Sequence, residues 1–494
     1  MNYFNRFIKF GQLKCALLVQ ARRGYLGVAV AWALLQCLFA GLGGGRFLSD
    51  TQYYWQMIDI ALLRERFAET LWYYHANPPL FNVYRAAVDL LPGPSGLWHQ
   101  AAFMAMGLLS ALLLYGLLCG AVQNRRLAFI LSLLVLLSPA WWMMQHWLMY
   151  TFPVMALLTA VFWFLQRLAP EQRACWGWGL AASLAALGLL RALFHPVWML
   201  MLWAWLLWRM PQRRRAIMVW AAASLLAVCA WSAKNGVVFG LWAGSSWLGP
   251  NLYHMTERVS PLERQALIEA GALSPVASVR PFSGIEAYRE VLGQEQRWNA
   301  PVLVQQRKAD GSHNYNHSIY LRANQCYGRD ALVLIAHAPV DYAAKVGQSL
   351  KRFGQPPWTY HRFTPQSETI TRGLAWLNHR LLGFEDGRYQ AQAMAVKDRP
   401  RWTLLHGLYA VLLVGGLGLA ARGGKAGLSP GQRTVLECAL ITIGWVAFTA
   451  LFFMPFENYR LGFVLTPCWA LLAALLAVML LRQGSWFASK SMII

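Results

Sequence analysis

Apolar residues run along this chain in long blocks separated by short polar breaks. The first block covers about 24–42, and others lie near 97–120, 127–144, 151–168, 175–191, 196–210, 216–233, 402–421, 434–455 and 461–481. Each approaches the roughly 20 residues that a helix needs to cross the hydrocarbon core of a bilayer. The pattern predicts an all-α polytopic membrane protein of about ten transmembrane helices. Two stretches interrupt it. One, 44–96, is polar and aromatic; the other, 234–400, mixes polar runs such as ERVSPLERQALIEAG with Pro-rich aromatic ones such as RFGQPPWTYHRF. The expected organisation is an N-terminal transmembrane module over 1–233 that contains the loop 44–96, an outer segment over 234–400, and C-terminal transmembrane helices over 401–494. Amphipathic helices are expected in the first loop, and a largely helical outer segment after it.

Composition agrees with this solvent assignment. Of 494 residues, 57% are hydrophobic and only 13% charged, whereas soluble domains carry about a quarter charged. A net charge of +23 would suggest nucleic acid in a soluble chain. Here its first explanation is the basic bias of cytoplasmic loops. Arg125 and Arg126, Arg167 and Arg173, Arg209 with Arg213 to Arg215, Arg422 with Lys425 and Arg433, and Arg482 with Lys490 all fall on the side of the N-terminal Arg6, Lys9, Lys14, Arg22 and Arg23. The opposite short loops carry little more than Arg191, and Arg460 beside Glu457. Both termini are therefore expected in the cytoplasm, with 44–96 and 234–400 outside. No small-x-small cleavage site follows the first block, so it reads as an uncleaved helix. The eight cysteines form no CxxC or Cys/His cluster, which indicates neither a zinc site nor a disulfide framework.

Ionisable residues avoid the span interiors, apart from Glu437 near a cytoplasmic end. Pumps and ion-coupled carriers place such groups at mid-membrane depth, and many transporters repeat one half in the other, which this chain does not. Its charges collect instead at the outer helix ends: Arg46, Asp50, Arg191, His195, Lys234, Glu457 and Arg460. That inventory suits transfer of a sugar from a lipid-linked phosphate. An acceptor hydroxyl needs one carboxylate base. A phosphate leaves without the second carboxylate that glycoside hydrolysis requires, and needs cations to hold its charge.

Four motifs, in order, carry a family resemblance. They are Asp50-Thr-Gln-Tyr-Tyr-Trp55, His75-Ala-Asn-Pro-Pro-Leu-Phe81, Trp231-Ser-Ala-Lys-Asn235 running through Phe239-Gly240 to Gly249-Pro-Asn-Leu252, and Glu457-Asn-Tyr-Arg460 with Pro467. The set resembles the GT-C superfamily of polyprenyl-phosphate-sugar-dependent glycosyltransferases, in particular bacterial relatives of protein O-mannosyltransferases and of the lipid A aminoarabinose transferase. Arg191 also matches a position where that family often has Arg. The resemblance implies a GT-C-like fold in the bacterial inner membrane with its active site facing the periplasm. It implies Asp50 as the general base of an inverting transfer, and Arg191, Lys234, Glu457 and Arg460 around the donor phosphate, Glu457 orienting Arg460. Tyr53, Tyr54, Trp55, His75 and Asn77 would line the substrate. The partners implied are a polyprenyl-phosphate-linked sugar, an acceptor lipid, protein or glycan, and membrane lipids, with no nucleic acid.

One departure matters. Many relatives have a second acid directly after the first, where this chain has Thr51. No adjacent carboxylate pair is present to chelate a divalent ion, so a divalent metal is doubtful and no other cofactor is assigned. Plainer readings exist for each residue: Asp50 and Asp59 as solvated or capping acids, His75 as a structural side chain, the arginines as anchors to lipid phosphates. A lipid or glycan transporter and an O-antigen-ligase-like enzyme are the alternative functions; the latter would not need the acid in the first loop.

Overall fold

The computed structural model describes residues 22–171, 173–293, 298–359, 367–384, 388–423, 427–454, 456 and 458–491. Arg6, Lys9, Lys14, Lys425 and Glu457, all named above, lie outside the described residues. The described residues are mostly helical, and the only β-pairings among them are two isolated bridges, Leu48 with Trp147 and Arg307 with His313.

Among the described residues six helices are long and apolar enough to cross a membrane: Arg22–Gly44, Ser95–Val122, Thr151–Leu168, Pro211–Phe239, Leu404–Arg422 and Pro430–Phe453. Two bent pairs raise the number to eight: Arg125–Leu136 with Pro139–Gln145, bent by 63°, and Asn458–Val464 with Thr466–Arg482, bent by 55°. Proline explains both bends, Pro139 and Pro467 standing at the start of the second helix of each pair, where a ring without an N–H is tolerated. The expected count of ten is not met by length. Ala174–Leu190 and Pro196–Arg209 are helical but have 17 and 14 residues, about 25 and 21 Å at helical rise, against a core of about 30 Å. The chain is an all-α multi-pass membrane protein.

Small residues let the membrane helices approach. Ser95–Val122 packs on Thr151–Glu171, which packs on Ala174–Leu190, which in turn meets Arg214–Phe239. At Gly177 a methyl group would come within 2.3 Å of the Trp220 ring, so glycine sets the separation of that last pair. The buried intramembrane acid, Glu437, is neutralised by Arg209 at 2.8 Å and Arg433 at 2.9 Å, and Trp205 Nε1 donates to it at 3.2 Å. This side-chain clamp satisfies a charge that would otherwise be expensive in lipid.

The outer segment has its own core. Tyr253, Tyr288, Tyr320 and Tyr327 are buried together with Val276, Ile319 and Leu334. Their hydroxyls are anchored: Tyr253 donates to Ala277 O at 2.6 Å, Tyr320 to Ser283 O at 2.8 Å and Tyr327 to Val279 O at 2.7 Å. The helix Pro339–Phe353 docks this unit on the membrane helices, Tyr342 donating to Phe452 O at 2.8 Å and Asn458 to Ser349 O at 3.4 Å. A smaller apolar cluster joins the first loop to it: Ile58, Leu62, Leu63, Tyr74 and Ala76 pack with Ala300, Val302 and Leu303.

Candidate active site

The first loop is a string of short helices, Ile60–Glu65, Phe67–Trp72 and Leu80–Asp89, the surface helices its sequence suggests. Asp59 caps the first of them: its Oδ1 accepts from Ala61 N at 3.0 Å and its Oδ2 from Ala309 N at 2.8 Å. A capping acid satisfies N–H groups that the first helical turn leaves without partners. Upstream, Leu48 is clipped to the other side of the bundle, its N–H donating to His146 O at 2.8 Å and its carbonyl accepting from Leu148 N at 3.0 Å.

Asp50 follows that clip. It is exposed and makes no hydrogen bond or ion pair among the described residues. Thr51 is buried, and its carbonyl accepts from Tyr54 N at 3.0 Å to close a turn. A carboxylate in place of Thr51 would be taken out of water, which is costly without a partner. Among the described residues no group of three His, Cys, Asp or Glu side chains could hold a metal ion.

The turn is held by a residue that no sequence pattern singles out. Lys308 is buried, and its ammonium donates to the carbonyls of Gln52 at 2.7 Å and Tyr54 at 2.9 Å. Burial pushes its pKa down to about 8. Arg85, also buried, donates to Ile58 O at 3.2 Å and to the Gln52 side chain. Two cations from different elements therefore fix the Gln52–Ile58 backbone.

Beneath the turn lies an aromatic and arginine cluster. Trp147 Nε1 donates to the Tyr54 hydroxyl at 3.0 Å, and the two rings meet edge to face at 5.9 Å. The guanidinium of Arg460 sits 5.4 Å over the Trp147 ring and 6.0 Å from that of Tyr150, and donates to Thr151 Oγ1 at 3.4 Å. Arg191 approaches the same Tyr150 ring at 5.0 Å. Both arginines are buried, Arg460 to 1% exposure. Burial alone would raise the Tyr150 pKa, but the Arg191 and Arg460 charges and a hydrogen bond from Arg460 outweigh it, and the net direction is down. Local structure explains how Arg191 gets there. It ends the Ala174–Leu190 helix in extended backbone, and the next helix cannot start before Pro196, capped by His195 Nδ1 on Val197 N at 3.3 Å.

The structure thus brings Arg191, Arg460 and Tyr54 together through Trp147 and Tyr150, two aromatic residues that sequence reasoning missed. They sit at the end of an apolar run, where nothing in composition marks them. The other candidates fall elsewhere. The Lys234 ammonium donates to Tyr74 O at 2.6 Å and lies 3.7 Å from the Trp231 ring centre. His75 is fully buried; its Nε2 donates to Asn316 O at 3.0 Å and its Nδ1 pairs with Ser246 Oγ at 2.9 Å. Burial drives its pKa down to about 3, so the ring is neutral, and its hydrogen bonds tie the 73–77 turn to the outer segment. Asn77 lies beside the Tyr74 hydroxyl, and its buried Nδ2 has no hydrogen-bond partner among the described residues. Tyr53 and Trp55 are 43% and 40% exposed. Of the expected donor-site residues Glu457 is outside the described residues. A separate cavity of about 260 Å³ opens between Phe239, Trp298, Ile319 and Arg322. Phe239 meets His75 edge-on at 5.4 Å, so this cavity lies behind the His75 turn, and no residue of the Asp50 turn lines it.

No family model matches the chain, and no curated protein matches it by sequence. Two solved structures are similar to it. One is the archaeal oligosaccharyltransferase AglB from Archaeoglobus fulgidus in complex with an inhibitory peptide and a dolichol-phosphate, with 13% identity and a TM-score of 0.39 over 96% of this chain and 52% of that one. The other is ArnT from Cupriavidus metallidurans bound to undecaprenyl phosphate, with 15% identity and a TM-score of 0.34 over 89% of this chain and 77% of that one. The chain spans about half the length of the AglB chain.

Proposed function

We propose that this protein is a glycosyltransferase that moves a sugar from a polyprenyl-phosphate donor to an acceptor hydroxyl at the outer, periplasmic face of the bacterial inner membrane. The observation that carries the reading is the pair of buried guanidiniums, Arg191 and Arg460, converging on Tyr150 under the turn that presents Asp50. Two cations in a water-poor, aromatic surround suit a phosphate whose charge grows as it leaves. An exposed carboxylate at the same turn suits a base.

In this mechanism the acceptor oxygen attacks the anomeric carbon as Asp50 takes its proton. The bond from that carbon to the phosphate oxygen breaks, and polyprenyl phosphate departs with the electron pair toward Arg191 and Arg460. One displacement inverts the anomeric centre. No second carboxylate is needed, because the leaving phosphate is stabilised by charge and not by protonation.

The test uses purified protein in nanodiscs with radiolabelled undecaprenyl-phosphate sugars (mannose, glucose and 4-amino-arabinose) and membranes from a deletion strain as the acceptor mixture. Label is expected to enter a lipid, glycan or protein fraction. Asp50→Asn is expected to lower turnover by about 10²–10⁴-fold; full activity in that variant would remove Asp50 from the mechanism.

A further inference from the structure

Tyr54 and Trp55 are consecutive, yet they serve opposite sides of the Asp50 turn. Tyr54 is buried to 7% exposure and turns down to Trp147, next to Arg460. Trp55 turns up to the outer segment, where its ring stacks on Phe282 at 4.4 Å and 27° and meets Tyr315 at 5.3 Å. With one face laid on Phe282, the 40% exposure of Trp55 falls on the rest of the indole.

Phe282 holds this arrangement at a cost. Its φ is +63°, and among the described residues the other non-glycine with positive φ is Gln123, at a helix C-cap where that conformation is routine. For a bulky aromatic residue it is a true outlier, worth about 1–2 kcal/mol of strain. The surroundings enforce it. Trp247 meets the Phe282 ring edge-on at 5.2 Å, His254 stacks behind it at 6.1 Å and 15°, and Tyr315 donates to Phe282 O at 3.4 Å. His254 is itself fixed by Glu257 at 2.6 Å, and Glu257 by Lys345 at 3.0 Å. A chain of side-chain contacts running from Lys345 through Glu257 and His254 therefore ends by aiming one strained ring at one half-open indole. Strain of this kind is retained where geometry is needed.

We propose that Trp55, set in place by Phe282, is a stacking platform for a pyranose ring of the acceptor, so that the hydroxyl Asp50 activates belongs to a glycan. An indole face packs well on the C–H face of a pyranose and offers little to a serine or threonine side chain. Asp50 is five residues away in the same turn, at most about 17 Å along the chain and closer because the turn is closed at Thr51–Tyr54. The side with Tyr54, Trp147 and Arg460 is left for the donor phosphate. The proposal rests on the transferase reading for the word acceptor; the carbohydrate platform itself does not.

Saturation-transfer NMR on the full-length protein in nanodiscs tests it, with methyl β-D-glucopyranoside, methyl β-D-galactopyranoside and methyl α-D-mannopyranoside as probes and a threonine-containing hexapeptide beside them. Transfer to the ring C–H protons of at least one glycoside is expected. It should fall at least fivefold in Trp55→Ala and in Phe282→Gly, which accepts the positive φ but lacks the ring, and persist in Phe282→Tyr. Trp55→Leu serves where Trp55→Ala fails to fold, as judged by thermal melting. No transfer from any glycoside, equal transfer in the Trp55 variants, or binding of the peptide alone would overturn the platform. Sugar transfer from a polyprenyl-phosphate donor that ignores Trp55→Ala would overturn it while leaving the transferase intact. Trp55-dependent glycoside binding in a protein without transferase activity would sink the transferase reading, and the acceptor role with it, and leave a carbohydrate site.

Discussion

The Arg460 guanidinium lies 6.0 Å from the centre of the Tyr150 ring, the same ring that Arg191 approaches at 5.0 Å. A phenol between two guanidiniums reports a concentrated positive field in a buried place. Lysine cannot reproduce it, since an ammonium lacks the planar fork that serves ring, hydroxyl and phosphate together. Arg460→Lys is expected to lower kcat/KM for a polyprenyl-phosphate sugar by about 10²-fold or more, the size of effect seen when one donor to a developing oxyanion is removed. Arg191→Lys should act in the same direction. Steady-state kinetics with undecaprenyl-phosphate sugars would measure both.

Lys308 is expected to act through the turn it holds. Lys308→Met keeps the buried stem but leaves the Gln52 and Tyr54 carbonyls without their donor. The expected result is a fall in turnover of roughly ten- to a hundredfold, equal to about 1.4–2.7 kcal/mol on the barrier, with donor binding unchanged. Binding of undecaprenyl phosphate, measured beside turnover, separates this from unfolding.

His75 makes stability sensitive to acid. Its folded pKa of about 3 lies below the ordinary 6.5 because the ring is buried. Between those values the unfolded chain binds more protons, so stability is lost as pH falls through 6.5 toward 3. Going from pH 7.5 to pH 5 should remove about 2 kcal/mol from this source. Thermal melting at the two pH values should show the loss in the native protein and a smaller one in His75→Asn.

Gly249 sits where two helices of the outer segment touch backbone to backbone. A methyl group there would lie 2.0 Å from Asn324 O and 2.9 Å from Gly328 N, and neither can move aside as a side chain would. Gly249→Ala is expected to destabilise the outer segment by roughly 1–3 kcal/mol, seen as a lower melting temperature and faster proteolysis within 248–337.

Much of this protein was legible in its sequence because the signals are local. Apolar blocks of span length and an acid placed to cap at Asp59 act over one or two turns of chain, and each corresponds to the helices and cap observed; the bends at Pro139 and Pro467 fall within blocks that read as single spans. The blocks near 175–191 and 196–210 form helices of 17 and 14 residues on either side of the Arg191–Pro196 break, so length does not confirm a count of ten spans.

The candidate site was legible only as a set of residue types at outer helix ends. Which of them meet depends on contacts between parts of the chain 254 residues apart for Lys308 and Tyr54, and 309 apart for Arg460 and Thr151. No local pattern encodes such distances. Sequence offers Lys234 beside Arg191 for the donor phosphate and His75 for the substrate; in the fold Lys234 donates to Tyr74 O and His75 to Asn316 O, contacts 160 and 241 residues apart. Trp147, Tyr150 and Phe282 were invisible, since an aromatic residue in an apolar run signals packing until the fold shows what its ring faces. The sequence by itself determined the solvent, the helices and the chemical inventory, since these follow from composition and spacing. Tertiary structure alone decided which cations share one ring, what holds the Asp50 turn and which aromatic faces stay open, because those are set by packing between distant segments.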